Sequence, residues 1–83
     1  MARTKDENFM LQLYEEALLK GDLTYFFDRY EVGHAIGLHA RGVEAICKTL
    51  LRTNFIKQDP GNADNVCITP HGIKLVNIIK DNE

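Results

Sequence analysis

Five side chains in this sequence have the chemistry of soft metal ligands: His34, His39, Cys47, Cys67 and His71. Cys67 and His71 stand four apart, a local spacing that tetrahedral zinc tolerates. The rest of a zinc site does not follow. No Cys-x-x-Cys pair occurs, Cys47 falls on the apolar side of a helical pattern, and Cys67 alternates between Val66 and Ile68. Both cysteines read as buried thiols of a reduced protein, and no metal is expected. Catalytic groupings are equally thin. Glu15 and Glu16 are adjacent and so point apart on a helix, and the chain contains no serine to act as a nucleophile. Gly33, Gly37 and Gly42 are not spaced as a phosphate-cradling loop. Neither an enzyme nor a cofactor-binding protein is expected.

Charge offers a different chemistry. With Lys and Arg totalling 10 against 12 Asp and Glu, the formal net charge is -2, so the whole molecule exerts no long-range pull on nucleic acid. Its distribution is uneven. Residues 38–52 hold Arg41, Lys48 and Arg52 against Glu44 alone, whereas residues 21–37 hold Arg29 against Asp22, Asp28 and Glu31. At a helical advance of roughly 100° per residue, Arg41, Ala45, Lys48 and Arg52 fall within a strip about 60° wide, opposite Val43, Ile46, Cys47, Leu50 and Leu51. A helix over 40–52 therefore presents a basic stripe to solvent.

The elements that must carry this stripe can be read from the rest of the chain. Thr4 and Glu7 have capping-box spacing, so a first helix starts near Lys5 and ends at Lys20-Gly21. Phe9, Met10, Leu13, Tyr14, Ala17 and Leu18 form its packing face. Leu11 and Leu19 lie off that face, eight residues apart, either as scattered surface leucines or as a homodimer stripe. Leu23 to Phe27 is β-prone and forms a short strand or leads into the next helix. A short second helix begins near Asp28, buries Tyr30, Val32, Ala35 and Ile36, and stops at Gly37. Phe55 to Gln58 and Val66 to Ile68 read as strands joined by the turn-forming run from Asp59 to Asn65. Thr69-Pro70 supplies a cap and a first-turn proline for a last helix to about Lys80, burying Leu75, Ile78 and Ile79 with Val76 at its edge. The 83 residues, 45% hydrophobic and 27% charged, make one ordinary packed domain over 1–83. The polar N-terminus lacks a signal-peptide core and no apolar run spans a bilayer, so a cytoplasmic location with no membrane partner is expected.

A helix, a glycine-containing turn and a second helix with outward basic residues form the unit that lays its second helix in the DNA major groove. The stretch Tyr30-Glu31-Val32-Gly33-His34-Ala35-Ile36-Gly37-Leu38-His39-Ala40-Arg41-Gly42-Val43 resembles the core of the winged helix-turn-helix superfamily. The resemblance continues through Leu50-Leu51-Arg52-Thr53-Asn54-Phe55-Ile56 and ends at Ile68-Thr69-Pro70-His71-Gly72. Asn54 stands where many relatives have glycine, and it tolerates the left-handed conformation nearly as well.

The implied fold is α+β, mainly α: a three-helix core, a two-stranded wing hairpin and a C-terminal helix. The resemblance further implies that the 40–52 helix enters the major groove and that the hairpin tip touches backbone. Arg41 then suits a base edge, Lys48 and Arg52 suit phosphates, and Ala45 lies among them. His39 caps the helix or meets a phosphate. The wing disagrees, because Asp59 and Asp64 would repel phosphate and only Lys57, at its base, is positive. About three to five phosphate contacts per monomer give weak, salt-sensitive binding, so a homodimer with two half-sites is expected. Duplex DNA is the first expected partner of this regulator-like module. The alternative is a protein-protein interaction module on the same fold, using the acidic wing and the Leu11/Leu19 side.

Overall fold

The computed structural model describes residues 3–82; Met1, Ala2 and Glu83, at the ends of the expected 1–83 span, lie outside the described residues. The fold is α+β and mainly α, with helices α1 (Lys5–Lys20), α2 (Arg29–Ala35), α3 (Ala40–Arg52) and α4 (Pro70–Asp81). Strands β1 (Phe27–Asp28), β2 (Ile56–Asp59) and β3 (Asn62–Ile68) form an antiparallel sheet in the order β1-β3-β2. Among the described residues, no helix is long and apolar enough to cross a membrane.

The helix starts follow from capping chemistry. Thr4 and Glu7 complete the reciprocal capping box of α1. Asp28 accepts the Tyr30 N–H at the head of α2, and Thr69 accepts the Gly72 N–H at the head of α4. Three helices end alike. Gly21, Gly37 and Asn54 each take a left-handed conformation, with φ of 75°, 78° and 64°. In each case the N–H of this residue reaches back three residues and the next N–H reaches back five, the paired bonds of a Schellman motif. At the second and third ends the following residue is Leu38 or Phe55, and both pack against the core. The left-handed turn thus stops the helix and returns the chain to the interior.

Leu23 to Phe27 resolves into both of its expected alternatives: a two-residue strand that runs directly into α2. Phe27 pairs with Val66 and Asp28 with Asn65, so the sheet has three strands where a two-stranded hairpin was expected. The hairpin is also tighter than expected. β3 extends back to Asn62, opposite Asp59, and leaves Pro60-Gly61 as the turn. Side chains make this extension possible: Asn62 accepts the Asp64 N–H, and Gln58 donates to the Ala63 carbonyl.

One core joins the layers. Phe9, Met10 and Leu13 of α1 are fully buried with Val32, Val43, Ile56, Val66 and Val76. Each large side chain removed from water here is worth about 1.5–3 kcal/mol. Leu18, near the end of α1, is 50% exposed, and Ala35 of α2 is exposed as well, so neither belongs to the packing face expected of it. Two further sequence expectations about facing are corrected. Leu11 is only 8% exposed and belongs to the core, so it cannot form a surface stripe with Leu19. On α4 the buried line is Gly72, Val76 and Ile79, whereas Ile78 is exposed and Leu75 half-buried. Gly72 explains the second shift: a Cβ there would overlap the Phe55 carbonyl oxygen and crowd Met10 and Ile68. The first turn of α4 can approach the base of the hairpin only through that glycine, and the helix is phased accordingly.

Candidate nucleic-acid interface

The α2-α3 pair is set by another close approach. Gly33 of α2 faces Val43 of α3, and a Cβ at Gly33 would overlap the Val43 Cγ2. With Val43, Ile46, Cys47 and Leu50 buried, the opposite side of α3 turns outward by helical geometry alone. Arg41, Ala45, Lys48 and Arg52 are all exposed there, on one continuous strip. Among the described residues, none of the three cations has an intramolecular hydrogen bond, ion pair or ring contact.

Glu44, the acid of this helix, is occupied differently. Its Oε2 accepts the Tyr30 hydroxyl at 2.8 Å, which draws it toward α2 and raises the Tyr30 phenol above its ordinary pKa. Tyr30 in turn accepts from Arg29 Nη2 at 3.0 Å, and that guanidinium also pairs with Asp64 at 3.2 Å. The acid on the α3 surface is therefore engaged by Tyr30, and among the described residues it forms no ion pair with Arg41, Lys48 or Arg52.

At the start of α3, His39 is the extended residue before the first turn but makes no side-chain cap hydrogen bond. The capping role open to it from sequence is not taken up, and its imidazole is exposed. The first turn also contains no acid. An open depression of about 480 Å³ adjoins this end, lined by Lys5 together with Gly37, Leu38, His39, Ala40 and Arg41. Lys5 is a residue that sequence reasoning missed. As the opening residue of α1 it carries no local signal, and only the packing of α1 brings it beside α3.

The hairpin is less suited to an anion. Lys57 is exposed but holds its ammonium 5.9 Å from the centre of the Phe26 ring, across from Cys67 in the sheet. Asp59 accepts the Gly61 N–H within the turn. Asp64 lies in β3, not at the tip, and Arg29 offsets its charge.

The thiols stay apart: Cys47 sits in the main core, whereas Cys67 lies on the other side of the sheet, with its Sγ 3.4 Å from the Leu23 carbonyl. Among the described residues no three His, Cys, Asp or Glu side chains are grouped closely enough to hold a metal ion. Burial pushes the Cys47 thiol up to about 11, a value suited to an inert core thiol and not to a nucleophile. Compared with protein-family models, curated proteins and solved structures, the chain finds no match in any of the three.

Proposed function

We propose that this protein is a winged helix-turn-helix module that binds duplex DNA through α3. The element order, with α2 and α3 joined by a Gly37 turn and a hairpin leading into α4, is compatible with that architecture. The observation that carries the functional reading is the exposed, unpartnered line of Arg41, Lys48 and Arg52 on the face of α3 opposite the core. Arg41, in the first turn, reaches a base edge, where a guanidinium pairs bidentately with guanine. Ala45 leaves room for close approach and offers a methyl to a thymine, while Lys48 and Arg52 neutralise phosphates. Lys5 and His39 flank the uncapped first turn of α3, where free backbone N–H groups also favour a phosphate oxygen. The hairpin plays a lesser part, because its only lysine lies over Phe26.

Binding of a fluorescent duplex at low and moderate salt tests this reading. The wild type binds at low salt and weakens steeply as salt rises, whereas the Arg41→Ala, Lys48→Ala double variant loses roughly ten-fold or more in affinity. Equal binding by the two proteins, or binding by neither, overturns the reading.

A further inference from the structure

Among the outward residues of α3, Glu44 is the exception in charge. On an α-helix it stands about 60° around the axis from Arg41 and about 40° from Lys48, and is close to one turn from each. It is exposed, yet among the described residues it pairs with neither cation. Its partner is the Tyr30 hydroxyl, which donates to Oε2 at 2.8 Å. Tyr30 is itself held in place. Asp28 accepts its backbone N–H, the Arg29 guanidinium carbon lies 4.9 Å from its ring centre, and Arg29 Nη2 donates to its hydroxyl at 3.0 Å. A phenol has one proton to give, and with Arg29 donating to its oxygen, that proton goes to Glu44. The carboxylate is thereby fixed in direction without being neutralised. Among the described residues its Oε1 has no hydrogen-bond partner.

We propose that Glu44 selects a cytosine in the major groove through this free oxygen, with Tyr30 as the residue that positions it. The inference rests on the reading of α3 as the groove-binding helix. Base edges in the major groove offer a carboxylate few donors. Cytosine presents its N4 amine, whereas the N6 amine of adenine lies beside the N7 acceptor, and guanine and thymine present only acceptors to it. A fixed anionic acceptor therefore favours cytosine and disfavours every other base. It also repels phosphate, so Glu44 lowers affinity wherever no cytosine meets it, which is how an acid on a basic surface adds specificity. Arg41 has the opposite chemistry and favours guanine. The Tyr30 bond keeps the carboxylate from folding onto Arg41 or Lys48, where an ion pair would cancel both charges. Holding the side chain in advance also reduces the freedom it loses on binding.

Selection of the full chain on a pool of duplexes with a randomised centre, at low salt and followed by sequencing, tests the inference. Circular dichroism melts confirm that each variant folds. The wild type should enrich cytosine at one position by roughly ten-fold over the other bases. Glu44→Ala should lose that preference, keep the guanine preference of Arg41, and bind unselected duplex as tightly as the wild type or more tightly. Glu44→Gln should move the preference to adenine, whose N6 and N7 match a glutamine amide. Tyr30→Phe retains the acid and removes its support. It should reduce the cytosine preference several-fold while affinity for unselected duplex stays within about two-fold. Identical selections by wild type and Glu44→Ala, or an even loss across all duplexes in Tyr30→Phe, overturn the inference even where the Arg41→Ala, Lys48→Ala variant shows that binding runs through α3. A wild type that binds no duplex, or a double variant that binds equally well, overturns the reading of α3 and this inference with it.

Discussion

Arg29, the first residue of α2, holds Asp64 of β3 through an Nη2–Oδ1 contact of 3.2 Å, and the same nitrogen donates to the Tyr30 hydroxyl at 3.0 Å. This side chain, 16% exposed, connects the hairpin to the helix pair that positions α3. Its two partners are not equivalent. The Asp64 carboxylate is 55% exposed and its attraction is screened by water and salt, whereas the Tyr30 hydroxyl continues to Glu44. Arg29→Ala should lower stability by about 1–3 kcal/mol through lost packing and hydrogen bonds. Asp64→Asn should cost no more than about 0.5 kcal/mol, an effect that shrinks in high salt. Denaturant titrations of both variants at two ionic strengths separate the contributions. An Asp64→Asn loss as large as that of Arg29→Ala would show the ion pair to dominate.

Gly33 makes the second prediction. A methyl at this position overlaps the Val43 Cγ2 and meets the Leu38 Cβ at 3.5 Å, in a core with no room to yield. Gly33→Ala should destabilise by about 2 kcal/mol or more despite the better helix propensity of alanine, because α2 must move off α3. Val43→Ala alone should also destabilise, by leaving a cavity. Combined, the added and removed methyls compensate, and a double-mutant cycle should return a favourable coupling. Simple additivity would mean that Gly33 is chosen for a reason other than this contact.

Much of this fold was legible because its punctuation is chemical. Thr4 with Glu7, Asp28 before α2, Thr69-Pro70 and the residues Gly21, Gly37 and Asn54 mark their helix boundaries through local hydrogen bonds, and these follow from sequence alone. The α3 stripe was legible for a related reason, since its apolar and basic residues separate cleanly by angle. The misreadings are tertiary. Leu11 lies well off the main apolar face of α1, yet it is buried in the core that α1 shares with α4. Ile78 was expected inside, yet the Gly72 contact rotates it into solvent. The turn-forming run after Asp59 could not reveal that Asn62 starts a strand, because the Asp59–Asn62 pairing and the Gln58 bond to the Ala63 carbonyl exist only once the hairpin has closed. Lys5 joins the site by packing across more than thirty positions of sequence, which no local pattern encodes.

Cys47 links burial to pH. Removal from water favours its neutral thiol and carries its pKa from 9.0 to about 11, with the Arg29 guanidinium opposing the shift only in part. The folded chain therefore holds this proton more tightly than the unfolded chain does. The stabilising contribution is complete below about pH 9 and is lost as pH rises toward 11, on the order of 1–2 kcal/mol over that window. The difference in melting temperature between wild type and Cys47→Ala, followed from pH 8 to 11, should narrow or change sign as the wild type loses stability. A constant difference would mean that the thiolate is solvated in the folded state.

Lys5 and Arg41 line one depression, yet the proposed DNA complex asks different things of them. A lysine ammonium is a hydrated point charge that meets phosphate without regard to sequence, while a guanidinium can also pair edge-on with a base. Lys5→Ala should weaken binding to all duplexes by a similar factor and reduce the magnitude of the salt slope by about one unit. Arg41→Ala should cost roughly ten-fold or more on the preferred duplex and less on others, which flattens discrimination. Arg41→Lys distinguishes charge from geometry, because it retains the cation and loses the fork. If Arg41→Lys keeps both affinity and preference, Arg41 touches phosphate only, and base reading must be sought further along α3.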